Sequence, residues 1–471
     1  MSPRPPRKPT SNAVSPARRE AFAILLEIDR NHGHSDDLLR GHRVSALSAQ
    51  DRNLCTTLVM GTLRWQIRLD SLIKPLLAKP NARLDPEIRI ALRLGALQLL
   101  FFDRIPAHAA IGESVALSKA AGHKFASGMV NAVLRKLAAS AHPEPIPPPG
   151  LNPKELADAT AHPTWLVERW TANYGLEAAR AICLHGQRQP ELTIRLNPAD
   201  PRQQEAELAE QGIVLQPGAL LTAARHVVAG DITAATAFQT GQIRIQDQGS
   251  QLIAEMACAL THAPNRILDC CAAPGGKTLI FAERNPQAQI TACEISPARH
   301  EALQARVAAS SYASRIDVKL ADATQLPGSD RYDLVLADVP CSGTGTLGRN
   351  PEIRHRLQPA DLARHHDRQC AILRSVLNVA SSRVIYSTCS LEPEENSAVV
   401  TDVLAQAHDW RQIPVSAVLD ELREEGRLTP ESAGSLRQAM APDGSTTILP
   451  GSLGPEMQTD GFFIAVLERQ R

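Results

Sequence analysis

From about Gln246 onward, short apolar segments alternate with helical stretches, and this alternation restricts the possible fold more than any other feature of the chain. The apolar segments predict strands at Ile267–Leu268, Ile290–Ala292, Ile316–Lys319, Leu334–Ala337, Val384–Tyr386 and Phe462–Leu467. Helical patterns lie between them, for example over Pro297–Ala309 and Pro359–Val379. Alternating strands and helices are typical of a parallel α/β sheet. We therefore predict a Rossmann-like domain over residues 246–471, with a Pro-, Gly- and Ser-rich insertion at 411–458 that holds one charged helix.

The first 140 residues carry a helical pattern instead. Val130, Val133, Leu134 and Leu137 recur at the spacing of one helix face. Segment Ile90–Phe102 is apolar on nearly all sides, which is typical of a buried helix. This pattern predicts an all-α domain over residues 16–140, preceded by a disordered basic arm over residues 1–15.

A proline-rich stretch separates this part from the rest of the chain. Five prolines occur between His142 and Gly150, where they favour an extended spacer and exclude a continuing helix. We predict a linker over residues 141–150. Residues 151–245 then mix helical patterns with short strand patterns at Thr193–Arg195 and Gly212–Leu215, which predicts a small α+β subdomain.

One turn of the predicted α/β domain has the composition of a ligand site. The sequence from Asp269 to Thr278, D-C-C-A-A-P-G-G-K-T, follows a strand and opens a helix. Small residues let a ligand approach the backbone, although the same composition also suits a plain tight turn. Glu294 and Asp322 follow the next two strands, and acids at successive strand ends line one crevice. Together these features favour a nucleoside-bearing cofactor such as S-adenosylmethionine.

Two cysteines lie in polar loops after the fourth and fifth predicted strands. Cys341 lies in D-V-P-C-S-G-T-G, and Cys389 lies in Y-S-T-C-S. In a parallel sheet both loops open on the face that holds the cofactor. The remaining cysteines, apart from Cys271 in the glycine-rich turn, are interpreted as buried packing residues: Cys55, Cys183, Cys258, Cys270, Cys293 and Cys370.

These motifs together resemble the RNA 5-methylcytosine methyltransferases of the Sun/Fmu family. The resemblance rests on C-A-A-P-G-G-K, D-x-P-C-S-G-T-G, T-C-S with the following Glu392–Asn396, Asp460–Phe463 and Gln246–Gln251. Upstream, Arg104–Ala110 and Val130–Arg135 are similar to the helical NusB-type domain that bacteria fuse to this enzyme. The resemblance covers nearly the whole chain, except residues 1–15 and parts of 411–458.

The resemblance implies an S-adenosylmethionine-dependent methyltransferase that acts on cytosine C5 in small-subunit ribosomal RNA. The implied cofactor-binding residues are Cys271, Ala272, Ala273, Pro274, Gly275, Gly276, Lys277, Glu294, Asp322 and Asp338.

The resemblance also implies a catalytic role for four residues. Cys389 is the expected nucleophile, whose addition to C6 of cytosine gives C5 carbanion character. Cys341 is expected to assist release of the product, as a base or through a water. Asp338 is expected to bond the N3/N4 edge of the cytosine. Lys277 is expected to hold Asp338 or the cytosine O2, and to lower the pKa of a nearby thiol from its usual value of about 8.5.

Charge composition restricts how RNA can bind. Fifty Lys and Arg balance fifty Asp and Glu, so any attraction must come from a local basic face. The candidates in the helical domain are Arg52, Arg64, Arg93, Arg104, Lys119, Lys124, Arg135 and Lys136. Because aromatic residues make up only 3% of the chain, phosphate and shape recognition is favoured over base stacking.

Membrane and metal functions are not indicated. The chain has no apolar run of about 18 residues and its N-terminus has no secretion signal. It also lacks C-x-x-C and H-E-x-x-H motifs. We expect a cytoplasmic monomer with free thiols, no metal and no membrane contact.

Two other functions stay open at this stage. One is an RNA-binding or antitermination-type module with a vestigial methyltransferase fold. The intact glycine-rich turn and the two polar cysteine loops argue against it. The other is a cytosine methyltransferase that acts on DNA, in which the nucleophile normally lies in the Pro-Cys loop, here at Cys341. The additional Cys389 favours RNA.

Overall fold

The computed structural model describes residues 14–30, 33–81, 83–140, 147–197, 199–454 and 457–470. Two compact units are present. The first contains residues up to Gln187 together with Asn350–His355, and the second contains Arg188–Arg349 and the chain from Arg356 onward. Most of the predicted arm, and residues 141–146 of the predicted linker, lie outside the described residues. Val14 and Ser15, assigned to the arm, belong instead to the helical unit, because Val14 is buried and Ser15 precedes the first helix.

The first unit is built of helices, as predicted for residues 16–140. Its helices are α1 (Pro16–Asp29), α2 (Ser35–Leu39), α3 (His42–Ser45), α4 (Ala49–Ile73), α5 (Pro86–Phe101), α6 (Ala107–Ala120), α7 (Ser127–Ala138), α8 (Pro153–Thr160), α9 (Thr164–Tyr174) and α10 (Leu176–Gln187). The predicted apolar face of α7 is buried. Helix α5 packs closely on its neighbours, since a Cβ at Gly95 would lie 2.5 Å from Leu134.

Residues 151–187, the first part of the predicted α+β subdomain, form helices α8–α10 and are grouped with the first compact unit. The segment 350–355 also belongs to this unit. Glu352 accepts hydrogen bonds from the backbone and side chain of Ser35, at 3.0 and 2.9 Å. The buried guanidinium of Arg354 donates to the carbonyl oxygens of Arg64, Ala161 and Gly186 at 3.1–3.2 Å. These contacts join residues far apart in the chain.

Two of the predicted basic-face residues do not lie on the surface. Arg64 and Arg93 are only 7% and 5% exposed, and Arg93 forms an ion pair with Asp70 at 2.6 Å. Arg104, Lys119, Lys124, Arg135 and Lys136 are exposed, and Arg52 is half-buried. No helix in the described ranges is long and apolar enough to cross a membrane.

The second unit begins with the predicted small α+β subdomain. Its elements are β1 (Thr193–Arg195), α11 (Pro201–Glu210), β2 (Val214–Pro217), β3 (Ala224–Ala229), α12 (Thr236–Gln239) and β4 (Arg244–Ile245). The strands pair antiparallel in the order β2-β3-β1-β4. Strand β2 begins two residues later than predicted, because Gly212 adopts a φ of +76° and turns the chain.

The larger part of the second unit is the predicted α/β domain. Its elements are α13 (Gln248–Ala259), β5 (Arg266–Asp269), α14 (Gly276–Arg284), β6 (Gln289–Glu294), α15 (Pro297–Ala308), β7 (Ile316–Leu320), β8 (Tyr332–Asp338), α16 (Ile353–Arg356, shared with the helical unit), α17 (Pro359–Val379), β9 (Ala380–Thr388), α18 (Ser397–Leu404), β10 (Trp410–Ile413), α19 (Ser416–Glu424), α20 (Ser432–Gln438), β11 (Thr446–Ile448) and β12 (Phe462–Arg469).

The strand order of the main sheet locates a crevice. The order is β10-β12-β9-β8-β5-β6-β7, and β5 to β9 pair parallel to one another. From β5 the chain adds strands in one direction and then, from β8, in the other. Ligands of open α/β sheets bind at such a reversal, outside the carboxyl ends of the strands.

The insertion at 411–458 differs from the prediction. It contains two helices, α19 and α20, and it contributes β11 and most of β10 to the sheet. The side chains of Val418, Leu419 and Leu436 are buried in the core of the α/β domain. The insertion is therefore a packed part of this domain.

A buried ion network joins the small sheet to the α/β domain. Arg195 of β1 bonds Glu255 of α13 and Glu283 of α14, each at 2.5 Å. Arg284 and Arg427 approach the same Glu255 at 2.8 and 3.0 Å. The side chains of Arg195 and Glu255 are at most 1% exposed, so both charges depend on these partners.

Candidate active site

A cavity of about 300 Å³ opens at the carboxyl ends of the parallel strands, where the strand order reverses. Several residues predicted to bind the cofactor or to act in catalysis line it: Cys271, Ala273, Glu294, Asp322, Asp338, Cys341 and Cys389. Arg368 of α17 also lines the cavity and was not predicted. The topology thus brings residues from five loops, spread over more than 100 positions, around one space.

The glycine-rich turn forms one wall of this site. Gly275 has a φ of +98° and precedes α14, and a Cβ there would lie 2.7 Å from Leu303. A glycine is needed at this position for both reasons. Thr278 donates to the buried Asp269 at 2.7 Å, which ties the start of α14 to the end of β5. Ala272, Pro274, Gly275, Gly276 and Lys277 shape the turn but do not line the cavity itself.

Two carboxylates line the cavity at the ends of β6 and β7, on the other side of β5 from the strands that carry the cysteine loops. Glu294 ends β6, is 4% exposed and accepts a hydrogen bond from the backbone of Ser296 at 2.9 Å. Arg299 lies 3.8 Å from its second oxygen. Asp322 follows β7 and accepts from the backbone of Thr324 at 2.9 Å. Each carboxylate is fixed by its own loop and retains acceptor capacity toward the cavity.

The two cysteines predicted from separate loops are in direct contact. Cys341 Sγ and Cys389 Sγ are 3.3 Å apart. The contact follows from the register of the parallel strands β8 and β9, in which Asp338 is opposite Ser387. Both cysteine residues are half-buried and both line the cavity.

Lys277 and Asp338 form an ion pair beside these thiols. Lys277 Nζ lies 2.7 Å from Asp338 Oδ2, and Ser387 donates to Asp338 Oδ1 at 2.7 Å. Burial alone lowers the pKa of Lys277, but Asp338 outweighs this effect and holds that pKa above its usual value. Lys277 is therefore a permanent cation whose nearest charge is Asp338.

The surroundings of Cys341 disfavour its ionisation. The hydrogen bond with Cys389, burial, and the negative charges of Cys389 and Glu395 together raise the pKa of Cys341 well above its usual value. The negative charges that act on this thiol are those of Cys389 and Glu395, whereas Lys277 is paired with Asp338 at 2.7 Å.

Glu395 is the main residue that sequence reasoning missed. Its carboxylate accepts from the backbone of Ser342 at 2.8 Å and from the hydroxyl of Ser390 at 2.5 Å. These two serines each follow one of the cysteines. The available signal was its place in the quoted motif after T-C-S, but a run of acids ordinarily indicates a solvated loop.

Comparison with known proteins places this geometry in a family. Residues 257–468 match the family described as 16S rRNA methyltransferase RsmB/F. The probable ribosomal RNA small subunit methyltransferase B of Bacillus subtilis is 32% identical, over 96% of this chain and 98% of that protein. The chain belongs to this methyltransferase family.

The other parts of the chain agree with membership of the RsmB/F family. Residues 15–139 match the NusB family, and residues 162–227 match the ferredoxin-like domain of RsmF/B-like methyltransferases. The ribosomal RNA small subunit methyltransferase B of Xanthomonas campestris is 30% identical over 97% of this chain and 98% of that protein. The resemblance stated from the motifs is confirmed.

Solved structures share the fold of this RsmB/F-family chain. The crystal structure of PH0851 has a TM-score of 0.76 at 22% identity, covering 97% of this chain and 99% of that one. A methyltransferase homolog from Pyrococcus horikoshii has a TM-score of 0.52 at 21% identity, covering 68% of this chain and 100% of that one. The predicted fold class is confirmed: a NusB-like all-α part, a small α+β subdomain and a Rossmann-like methyltransferase domain.

Proposed function

We propose that this protein methylates C5 of a cytosine in small-subunit ribosomal RNA, using S-adenosylmethionine and a covalent bond between Cys389 and C6. The observation that carries the proposal is the 3.3 Å contact of two thiols from adjacent strand ends, both of which line one cavity. Relatives that match over nearly their full length are named for ribosomal RNA of the small subunit. Those names support the substrate class, and the two thiols are the groups that the cytosine chemistry implied by the resemblance requires.

The cavity fits a nucleoside-bearing cofactor. Glu294 and Asp322 place carboxylate acceptors at successive strand ends, which suits the hydroxyls of a ribose. Cys271 and Ala273 keep the adjacent wall small. When bound, S-adenosylmethionine supplies a methyl group on a sulfonium centre.

Cys389 supplies the covalent step. The proton of its thiol passes through Asp338 to N3 of the cytosine as the sulfur bonds to C6, which makes C5 an enamine-like nucleophile for the methyl group. Asp338 would bond the N3/N4 edge of the base and stabilise the charge that the addition produces. Lys277 fixes Asp338 at 2.7 Å and so fixes the orientation of the base.

The contact between the two thiols also explains why Cys341 removes the C5 proton only after Cys389 has bonded to C6. The first cause of the high pKa of Cys341 is Cys389 itself. Once the sulfur of Cys389 is bonded to C6, it can no longer carry a thiolate charge or take part in the shared hydrogen bond, so Cys341 ionises more readily. Cys341, directly or through a water, then removes the proton from C5. The C5–C6 double bond re-forms as the C6–S bond breaks, and the sulfur of Cys389 regains its proton from N3 as the product leaves.

A bisulfite map of ribosomal RNA with and without this protein tests the proposal. We expect one protected cytosine in small-subunit RNA when the protein is present. An RNA that is bound but never protected would favour the vestigial module, and protection of a DNA duplex alone would favour the DNA enzyme.

Glu294→Ala should weaken S-adenosylmethionine binding by about 1.5–3 kcal/mol, because a hydrogen bond to a charged acceptor is lost. Titration calorimetry on the full chain measures this affinity. Glu301→Ala is the matched control, since Glu301 is an exposed carboxylate on the helix that follows. Equal affinities for wild type and Glu294→Ala would remove Glu294 from the cofactor site.

Replacing both Arg135 and Lys136 with glutamine should reduce the salt dependence of RNA binding. Each phosphate contact contributes about 0.7–0.9 to the log–log slope, so two lost contacts should reduce it by about 1.5. Filter binding between low and moderate salt gives the slope. The control replaces Arg30 and Arg43, which are already paired with Glu87 and Glu27, and its slope should stay near that of wild type. An unchanged slope in the first variant contradicts an RNA contact at these residues.

A further inference from the structure

The carboxylate of Glu395 is buried between the two cysteine loops, and it is the point at which they are joined. One oxygen accepts from the backbone N–H of Ser342 at 2.8 Å and from Gln369 Nε2 at 3.1 Å. The other accepts from the hydroxyls of Ser342 and Ser390. The residue is 0% exposed. Four donors therefore converge on one carboxylate, and two of the three residues that supply them are the immediate neighbours of Cys341 and Cys389.

Glu395 is itself held from several directions. Tyr386 of β9 donates to its backbone oxygen at 2.6 Å. Gln369 of α17 donates to the carbonyl of Pro340 at 3.0 Å as well as to the carboxylate. The adjacent Asn396 donates to the carbonyl of Ser390 at 3.0 Å. A side chain fixed by its neighbours in this way holds the groups bonded to it within a narrow range of positions.

We propose that Glu395 is a positioning residue that holds the sulfurs of Cys341 and Cys389 in contact and keeps Cys341 a thiol until Cys389 has reacted. The proposal rests on the function proposed above and adds to it the reason why two similar thiols act at different stages. Glu395 does not reach the cavity, so its effect on the reaction passes through the two serines and through its charge.

The charges around Cys341 support an electrostatic role. Cys389 and Glu395 both disfavour ionisation of Cys341. Tyr386 also faces this thiol, and its pKa is raised well above its usual value, chiefly by burial. Lys277 is engaged by Asp338, and Arg368 lines the same cavity. Removal of Glu395 takes away a full negative charge without changing the Lys277–Asp338 pair.

Two substitutions separate position from charge. Glu395→Gln keeps the length of the side chain and an acceptor for Ser342, but it removes the charge. Glu395→Ala removes both. Glu394→Gln is the control, because it neutralises the neighbouring carboxylate in the same turn and leaves the side chain of Glu395 unchanged.

The first measurement needs no RNA. Alkylation of the full-length protein by iodoacetamide is followed by mass spectrometry of the Cys341 peptide over a range of pH. Glu395→Gln should show its midpoint for Cys341 at lower pH and alkylate severalfold faster near neutrality, while Glu394→Gln should match wild type. A Cys341 midpoint that is the same in wild type and Glu395→Gln overturns the electrostatic part of the proposal.

The second measurement is the kinetics of methyl transfer. Glu395→Ala should lower kcat by about 10- to 100-fold, as expected for misplacement of reacting groups by about 1 Å, with KM for RNA within about twofold of wild type. An unchanged kcat, or a rise in KM alone, overturns the positioning role. Should Glu395→Ala fail to fold, as judged by circular dichroism, Glu395→Gln must still show the alkylation shift. If Glu395→Gln shows the alkylation shift but the wild-type protein methylates no cytosine, the proposed function is refuted and the electrostatic role stays intact.

Discussion

Cys389→Ala should abolish methyl transfer and leave no covalent RNA–protein species, whereas Cys341→Ala should methylate once and then hold its RNA. The first variant cannot form the bond to C6, so we expect a loss of more than about 10³-fold in rate. The second variant retains the nucleophile but lacks the group proposed to assist proton removal from C5. Its adduct should decay slowly and survive denaturing electrophoresis.

The assay incubates each variant with unmodified ribosomal RNA and S-adenosylmethionine and separates the products on a denaturing gel. Cys55→Ala is the control, because Cys55 is a buried thiol of the helical unit. It should behave like wild type, with methylated RNA and no persistent adduct. A stable adduct with Cys389→Ala and none with Cys341→Ala would reverse the two roles.

Glu255→Ala should destabilise the second unit by about 3–5 kcal/mol, because it leaves the buried Arg195 and the half-buried Arg284 and Arg427 without their shared counter-ion. Arg195, Arg284 and Arg427 all lie within 3.0 Å of this carboxylate. Urea titration followed by circular dichroism measures the loss. The control is Asp409→Ala, which removes one partner of the exposed pair with Arg469 and should cost no more than about 1 kcal/mol. A loss for Glu255→Ala as small as that of the control would show that the network contributes no net stability.

The same network predicts a pH dependence. Burial alone raises the pKa of Glu255, but the three arginines lower it from 4.5 to about 2. A depressed pKa in the folded state contributes stability above the unfolded value, and this contribution is lost as pH falls from about 4.5 toward 2. The difference in unfolding free energy between wild type and Glu255→Gln should therefore be constant above pH 5 and shrink below pH 4.5.

The positions of the two cysteine loops could be predicted from the sequence, but their contact could not. Alternating apolar strands and helices indicate a parallel sheet, and loops after adjacent strands open on one face. The 3.3 Å distance between the sulfurs depends on the register of β8 and β9, which pairs Asp338 with Ser387. Strands that are buried on both faces show no alternation of apolar and polar residues. The sequence therefore does not indicate how β8 and β9 are aligned, and only the structure gives the distance between the sulfurs.

Burial of charged residues was the main source of error. Arg93 was expected on the surface because it is charged, although it lies in the apolar segment of α5. The sequence does not show that its charge is paired with Asp70, which lies on the preceding helix. Glu395 was likewise unassigned, since the donors that surround its carboxylate come from Ser342, Gln369 and Ser390, on three different elements. Long-range partners of this kind give no local signal.

Residues 350–355 have a practical meaning for protein engineering. Glu352 and Arg354 complete the helical unit, although they follow the Cys341 loop in the chain. A single cut after Gln187 therefore does not yield two independent halves. The excised helical piece would lack the acceptor of Ser35 and the guanidinium that bonds three of its carbonyl groups. A chimera that exchanges the N-terminal part with a relative must transplant this hexapeptide as well.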